Sequence, residues 1–242
     1  MTQRSGDTLL SVERPVVVGV GRITVAFAGQ VGRLPDGDLD VELDCATLQL
    51  AGDAAVAVGT AVSLGCAGRL AGALARDFLG AFASRALAAS GIDAGLVCKL
   101  DRQLTPFSFT AVADNPPRQL TFRTAGDLGE LGAEYVDLDA LLLGASALLV
   151  DGAHPKLQIA AAERARAREI PVLFDGTQLT EGTGELVGLV DVLLSSESLA
   201  TELAPRGELA DSLAELQRMG PRAVIITLGA AGSVGLHGDQ VV

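Results

Sequence analysis

Tryptophan is absent from these 242 residues, Tyr135 is the sole tyrosine, and aromatics make up only 3%. A core without large rings has to be aliphatic. Alanine, valine, leucine and isoleucine dominate, which suits buried parallel strands covered by alanine-rich helices. Cysteine is scarce: Cys45, Cys66 and Cys98 fit no zinc spacing, and their odd number argues against a disulfide framework. They read as small hydrophobes in a reducing compartment. With His154 and His237 as the only histidines, a histidine-based metal site is not expected, and no residue is assigned to a metal.

Positive charge is short as well. Lys and Arg number 18 against 30 Asp and Glu, a net charge of −12. Such a chain repels phosphate backbones, so nucleic acid is not an expected partner; a local basic pocket for a small anion stays open. Arg164, Arg166 and Arg168 alternate with alanine on one helix and read as a solvated face. Long apolar runs are missing too. The first fifteen residues carry charges and no apolar stretch. The longest uncharged run, residues 54–68, is too short to cross a bilayer. A cytoplasmic protein with no membrane partner is the expectation.

What is present has a rhythm. Residues 15–21 form a β-branched run that predicts a central strand, and residues 23–28 continue with strand character. Leu34, Pro35, Asp36 and Gly37 make a turn, after which Val41, Leu43 and Cys45 alternate with acidic residues as in a strand with one wet face. Residues 54–64 have helical spacing and residues 69–75 a short strand. Residues 77–90 predict a helix with Asp77 as N-cap, an apolar stripe through Phe78, Phe82 and Ala86, and Gly91 just past its end. Strands at 107–113 and 119–123 flank a hairpin turn at Asp114–Pro117. Further strands are expected at 148–150, 172–174, 190–194, 223–227 and 233–236. Helices are expected at 155–168, opened by Pro155, and around Leu209, Leu213 and Leu216. Alternation of this kind implies right-handed βαβ units and a parallel sheet. The strands near 23–28, 41–48, 107–113 and 119–123 lack intervening helices and read as a small separate sheet.

Four glycine-bearing motifs could carry chemistry. Gly19-Val20-Gly21-Arg22-Ile23-Thr24 resembles the start of a dinucleotide fingerprint, but Thr24 replaces the third glycine and a strand rather than a helix follows. Ala51-Gly52-Asp53 precedes a helix and would let a ligand approach the backbone; it reads equally as a tight strand-to-helix turn. Asp77 to Gly80 reads as a structural cap. Thr227-Leu228-Gly229-Ala230-Ala231-Gly232 follows a strand, where open α/β sheets bind ligands and successive N–H groups form an anion nest; a plain turn is the other reading.

The order of these features, with Val150–Pro155 (VDGAHP), Ile170–Gly176 (IPVLFDG) and Leu189–Ala200 (LVDVLLSSESLA), resembles the ribokinase-like (PfkB) carbohydrate kinase family from about Val16 to the last residue. The resemblance implies an α/β fold: a Rossmann-like α/β/α sandwich with a mainly parallel central sheet and a small β-sheet lid. It also implies transfer of the γ-phosphoryl of ATP, with Mg2+, to a sugar hydroxymethyl, and a lid that can form a homodimer interface. The chain then reads as a single incomplete domain over 1–242, with lid strands at about 23–50 and 105–124.

Carried over residue by residue, the resemblance assigns Thr24, Gly52 and Asp53 to the substrate, and Ser196, Glu197, Thr227, Gly229 and Gly232 to the nucleotide. The family's sugar-binding aspartate falls on Ala26 and an asparagine on Val56. The glutamate of its N-x-x-E motif falls on Leu199. The family's G-A-G-D segment, which supplies the anion hole and the base, is not found before Val242, so the chain is expected to be C-terminally truncated and no catalytic residue is assigned. Two readings follow: a sugar kinase with an altered pocket, or a pseudokinase that binds or regulates. A dinucleotide-dependent oxidoreductase is the third, disfavoured by the motif at Gly19.

Overall fold

The computed structural model describes residues 14–35, 37, 40–101, 104–205 and 208–241. The β-branched run after Pro15 is β1 (Val16–Val20), followed without a helix by β2 (Thr24–Val31) and β3 (Cys45–Ala51). Next come α1 (Asp53–Ser63), β4 (Ala67–Ala75), α2 (Phe78–Ala89) and β5 (Ile92–Leu100). The hairpin is β6 (Phe107–Asp114) and β7 (Pro117–Thr124), and a short α3 (Leu138–Leu141) leads into β8 (Ala147–Val150). The alternation then runs α4 (Pro155–Arg166), β9 (Val172–Gly176), α5 (Thr183–Val187), β10 (Val192–Ser196), α6 (Glu197–Leu203), α7 (Leu209–Arg218) and β11 (Ala223–Thr227). It closes on β12 (Ser233–His237) and β13 (Gln240–Val241).

Two sheets result. The larger has the order β13-β12-β11-β10-β9-β8-β1-β4-β5, parallel except for β12 and β13. The smaller, β3-β2-β6-β7, is the expected lid. The fold is therefore α/β with a large, mainly parallel sheet and a small second sheet, as the sequence predicts.

Two apolar clusters hold the large sheet. On one face Val18, Val20, Val150 and Phe174 pack with Leu157 and Ala161 of α4 and Leu213 and Leu216 of α7. On the other, Ala54, Ala55 and Val58 of α1 and Ala83 and Leu87 of α2 pack on Leu70, Leu74 and Val25. A fully buried Leu or Val contributes roughly 1.5–3 kcal/mol, so strands buried on both faces and small helix residues suffice without tryptophan. Gly19 allows the close approach: a Cβ there would stand 2.7 Å from the Val58 side chain.

Several expectations need correction. The fully buried positions of α2 are Gly80, Ala83 and Leu87; of the expected stripe Phe82 packs against this core, whereas Phe78, at the start of the helix, is 71% exposed. The strand expected at Val41 begins instead at Cys45 and runs to Ala51, because it pairs with Thr24–Gln30 and not with the acidic stretch before it. β5, absent from the sequence reading, pairs in parallel with β4 at the sheet edge. Asp77 does cap α2, accepting the Gly80 N–H at 2.7 Å. The expected turn at 34–37 includes Asp36, which lies outside the described residues, as do most of the N-terminal segment and Val242. Among the described residues, no helix is long and apolar enough to cross a membrane.

Candidate functional site

The C-terminal ends of β1 and β8 meet at one carboxylate. Asp151 Oδ2 accepts the backbone N–H of Arg22 at 2.7 Å and of Ala54 at 3.3 Å. Its Oδ1 accepts the Ala153 N–H at 3.0 Å and Gln158 Nε2–H at 2.9 Å. Gln158 is fully buried; it also donates to the Val20 carbonyl and accepts the Gly152 N–H. Gly21 has to be glycine, because a Cβ would collide with the Asp151 carboxylate. Together these contacts fix where Arg22 leaves the sheet and where the lid begins.

Beneath the lid lies a cavity of about 730 Å³. Thr24, Gly52 and Asp53, all expected at the substrate, line it together. Gly52 has φ 103°, and a Cβ there would collide with the Arg22 carbonyl. Across the lid, register places Gln49, Ala26, Ser108 and Arg123 in one row and Thr47, Ala28, Thr110 and Thr121 in the next. Ser108, Thr110, Thr121 and Arg123 line the cavity. The Thr110 and Thr121 hydroxyls are 3.0 Å apart, and Gln119 donates to Thr121 at 3.1 Å. Ala26 thus contributes a methyl to a row that ends in a guanidinium.

Charge at the cavity is divided. Arg22 and Arg123 line it, and neither guanidinium is held in a hydrogen bond or ion pair among the described residues. Facing the strand ends, the Asp53 carboxyl is pushed above its ordinary value by desolvation and by the charge of Asp151, against the pull of Arg22 and Arg123. Asp175, near the end of β9, is raised by burial and then by Asp53 and Asp151. These carboxylates act on one another through space, yet no group of three His, Cys, Asp or Glu among the described residues is placed to hold a metal ion. A neighbouring cavity of about 440 Å³ shares Arg22 and is lined by Ala125, Gly126 and His154. His154 sits at φ 57°, its Nδ1 accepts the Leu131 N–H at 3.3 Å, and burial lowers its pKa.

The residues expected at the nucleotide lie further along the same edge. Ser196 caps α6, accepting the Leu199 N–H at 3.2 Å, and stands beside Thr227 in parallel register. Glu197 is the exposed first residue of α6. Gly229 and Gly232 have φ 57° and 91° and open space where a Cβ would be. Part of the expected N–H nest is spent on the turn itself: Leu228 donates to the Gly232 carbonyl at 2.8 Å and Gly232 to Gly229 at 3.1 Å. Thr177 links the two neighbourhoods, lining the substrate-side cavity and accepting the Ser196 hydroxyl at 3.4 Å. Leu199 is fully buried, whereas Val56 is 51% exposed on α1.

Sequence reasoning missed Arg22, Asp151, His154 and the two lid rows that hold Ser108 with Arg123 and Thr110 with Thr121. The period-2 spacing of polar residues in β6 and β7 was the available signal.

Comparison with known proteins is consistent with this architecture. Residues 15–242 match the pfkB family carbohydrate kinases. A search among curated proteins found no matching relative. Among solved structures, an Agrobacterium tumefaciens protein provisionally described as a ribokinase superposes with a TM-score of 0.82 at 24% identity, covering 95% of this chain and 76% of that one. Arabidopsis thaliana ribokinase, complexed with ribose and ATP, gives 0.75 at 18% identity, over 95% of this chain and 77% of that one. An E. coli protein provisionally described as ribokinase II, in complex with ATP and Mg2+, gives 0.75 at 17%, over 94% and 77%. With the family match spanning nearly all of the described residues, this chain belongs to the pfkB family of carbohydrate kinases.

Proposed function

We propose that the cavity beneath the lid binds a sugar-class substrate and serves ATP-dependent phosphoryl transfer to a substrate hydroxymethyl. The observation that carries this reading is the lining: hydroxyl side chains of Thr24, Ser108, Thr110 and Thr121 with the Asp53 carboxylate, in one cavity at the C-terminal end of a parallel sheet. Asp53 would accept substrate hydroxyls. Gly52, packed against the Arg22 carbonyl, sets the turn that brings Asp53 to the cavity, and Thr24 adds a hydrogen bond.

On the nucleotide side, Ser196, Glu197, Thr227, Gly229 and Gly232 would meet ATP. The open space at Gly229 and Gly232 fits a phosphate-sized group against the backbone. Among the described residues no cluster of His, Cys, Asp or Glu makes a Mg2+ site by itself. In the transfer the substrate oxygen would bond to the γ-phosphorus as the bond to the ADP oxygen breaks, and the hydroxyl proton would be released, in net, to bulk solvent. The chain's part is to position the two substrates and exclude water.

A second reading, binding without transfer, is favoured by Leu199, buried where the family carries an acid, and by the methyl of Ala26 in the lid row. A coupled ADP-release assay against a panel of sugars, run beside calorimetric binding, separates the two. Release with a bound sugar supports the kinase. Binding without release supports the binding module, and neither defeats both. Self-association through the lid belongs to the same proposal, supported by exposed Leu120 and Phe122 on the edge strand β7. So does a cytoplasmic setting, supported by three free cysteines.

A further inference from the structure

Among the described residues, several arginines are tied down by the fold. Arg69 donates to the carbonyls of Ala140, Leu141 and Leu143; Arg164 and Arg168 hold Asp139; Arg76 pairs with Asp101 and Arg222 with Asp191. Arg22 and Arg123, like Arg14, Arg85 and Arg118, are not held in this way, and of these five only Arg22 and Arg123 line the cavity beneath the lid. They come from different elements, the β1–β2 link and β7, and line the same cavity with no hydrogen bond or ion pair on either guanidinium among the described residues. Each offers five N–H donors in a planar fork.

The lid register gives these forks a meaning. In the row Gln49–Ala26–Ser108–Arg123, the position at which a sugar kinase of this family is expected to offer an acceptor carboxylate carries a methyl. The row's charged group is instead a donor, two strands away, roughly 10 Å at the usual strand spacing and within reach of a bound substrate. An acceptor row suits hydroxyls alone. A donor row with a guanidinium suits an oxyanion, which an arginine fork can hold with two parallel bonds.

We propose that the substrate of this site is an anionic sugar, bearing a carboxylate or a phosphate that Arg123 and Arg22 hold, while its hydroxyls meet Asp53, Thr24 and the lid hydroxyls. This rests on the reading of the cavity as the substrate site. In a chain of net charge −12 the overall field opposes an anion, so the attraction is local to the two guanidiniums and weakens with salt.

Calorimetric titration at low salt tests it, with two sets of probes: D-ribose, D-ribonate and D-ribose 5-phosphate, and D-glucose, D-gluconate and D-glucose 6-phosphate. At least one charged member should bind about tenfold or more tighter than its neutral parent. Preference for the sugar acid or for the sugar phosphate identifies which oxyanion is read. Arg123→Gln and Arg22→Gln should each bring the charged and neutral members to within about twofold of one another. Arg118→Gln is the control: it removes the same charge from the same strand, one position out of phase with Gln119, Thr121 and Arg123, and should leave the preference intact. If neutral sugars bind as well as both charged forms, the anion proposal is overturned and the sugar-site reading stands. If no probe binds, both fall. Should Arg118→Gln act as strongly as Arg123→Gln, the effect is one of overall charge and the assignment to the cavity is overturned.

Discussion

Asp151 accepts the backbone N–H of Arg22 at 2.7 Å, across 129 residues of chain. One carboxylate at the end of β8 thereby holds the point at which the chain leaves the large sheet for the lid, and also takes the first turn of α1 through the Ala54 N–H.

Replacing that carboxylate should cost more than a surface charge would. Asp151→Ala leaves the N–H groups of Arg22 and Ala153 and the Gln158 amide without their acceptor. A loss of about 2–3 kcal/mol is expected, read by chemical denaturation. Gly21→Ala should produce a comparable loss by driving a methyl into the same carboxylate. A loss under about 0.5 kcal/mol for both, the range of neutral surface changes, would show that this junction does not organise the lid.

Asp77 should make stability depend on acid. Burial pushes its carboxyl up, but the N–H of Gly80 and the hydroxyl and N–H of Thr105 outweigh burial and hold it below the ordinary value. A depressed carboxyl stabilises the fold fully above the ordinary value of about 4, and that contribution is lost as pH falls through the lower folded value. Asp77→Ala should cost about 1 kcal/mol at neutral pH and flatten the acid limb of the stability profile. An unchanged limb would contradict the assignment.

His154 should titrate below the ordinary histidine value of about 6.5, because burial lowers its pKa and its Nδ1 must stay unprotonated to accept the Leu131 N–H. The unfolded chain takes up this proton first, so stability falls as pH drops through the ordinary histidine range and levels off below the folded value. The sequence has two histidines, so NMR titration with one substitution assigns the resonance. His154→Asn, which tolerates the left-handed backbone at this position, should remove that part of the pH dependence. A midpoint at or above the ordinary value would refute the environment described for His154.

Much of the fold is legible in particular stretches. The run from Val16 to Val20 is β-branched and the stretch from Ala223 to Thr227 largely so; both are central strands. The Asp77 cap and the proline opening α4 are local signals, and both hold. β5 is illegible because Asp93, Gly95 and Lys99 interrupt it; pairing with β4 makes it a strand, not its own pattern. Phe78 misleads because four-residue spacing groups it with Phe82, which packs on the core, while Phe78 itself, the first residue of α2, is left exposed. Thr24, Gly52 and Asp53 could be picked out by motif order, whereas Arg22 and Arg123 belong to no motif.

By itself the sequence determined the aliphatic core and the strand–helix alternation, hence a parallel sheet with a lid of extra strands, because period and composition are local properties of the chain. Only the tertiary structure decided that Arg123 stands in the row of Ser108 and Ala26, and that Asp151 anchors Arg22. Strand register is set by pairing between distant segments, and a shift of one residue turns every side chain to the opposite face.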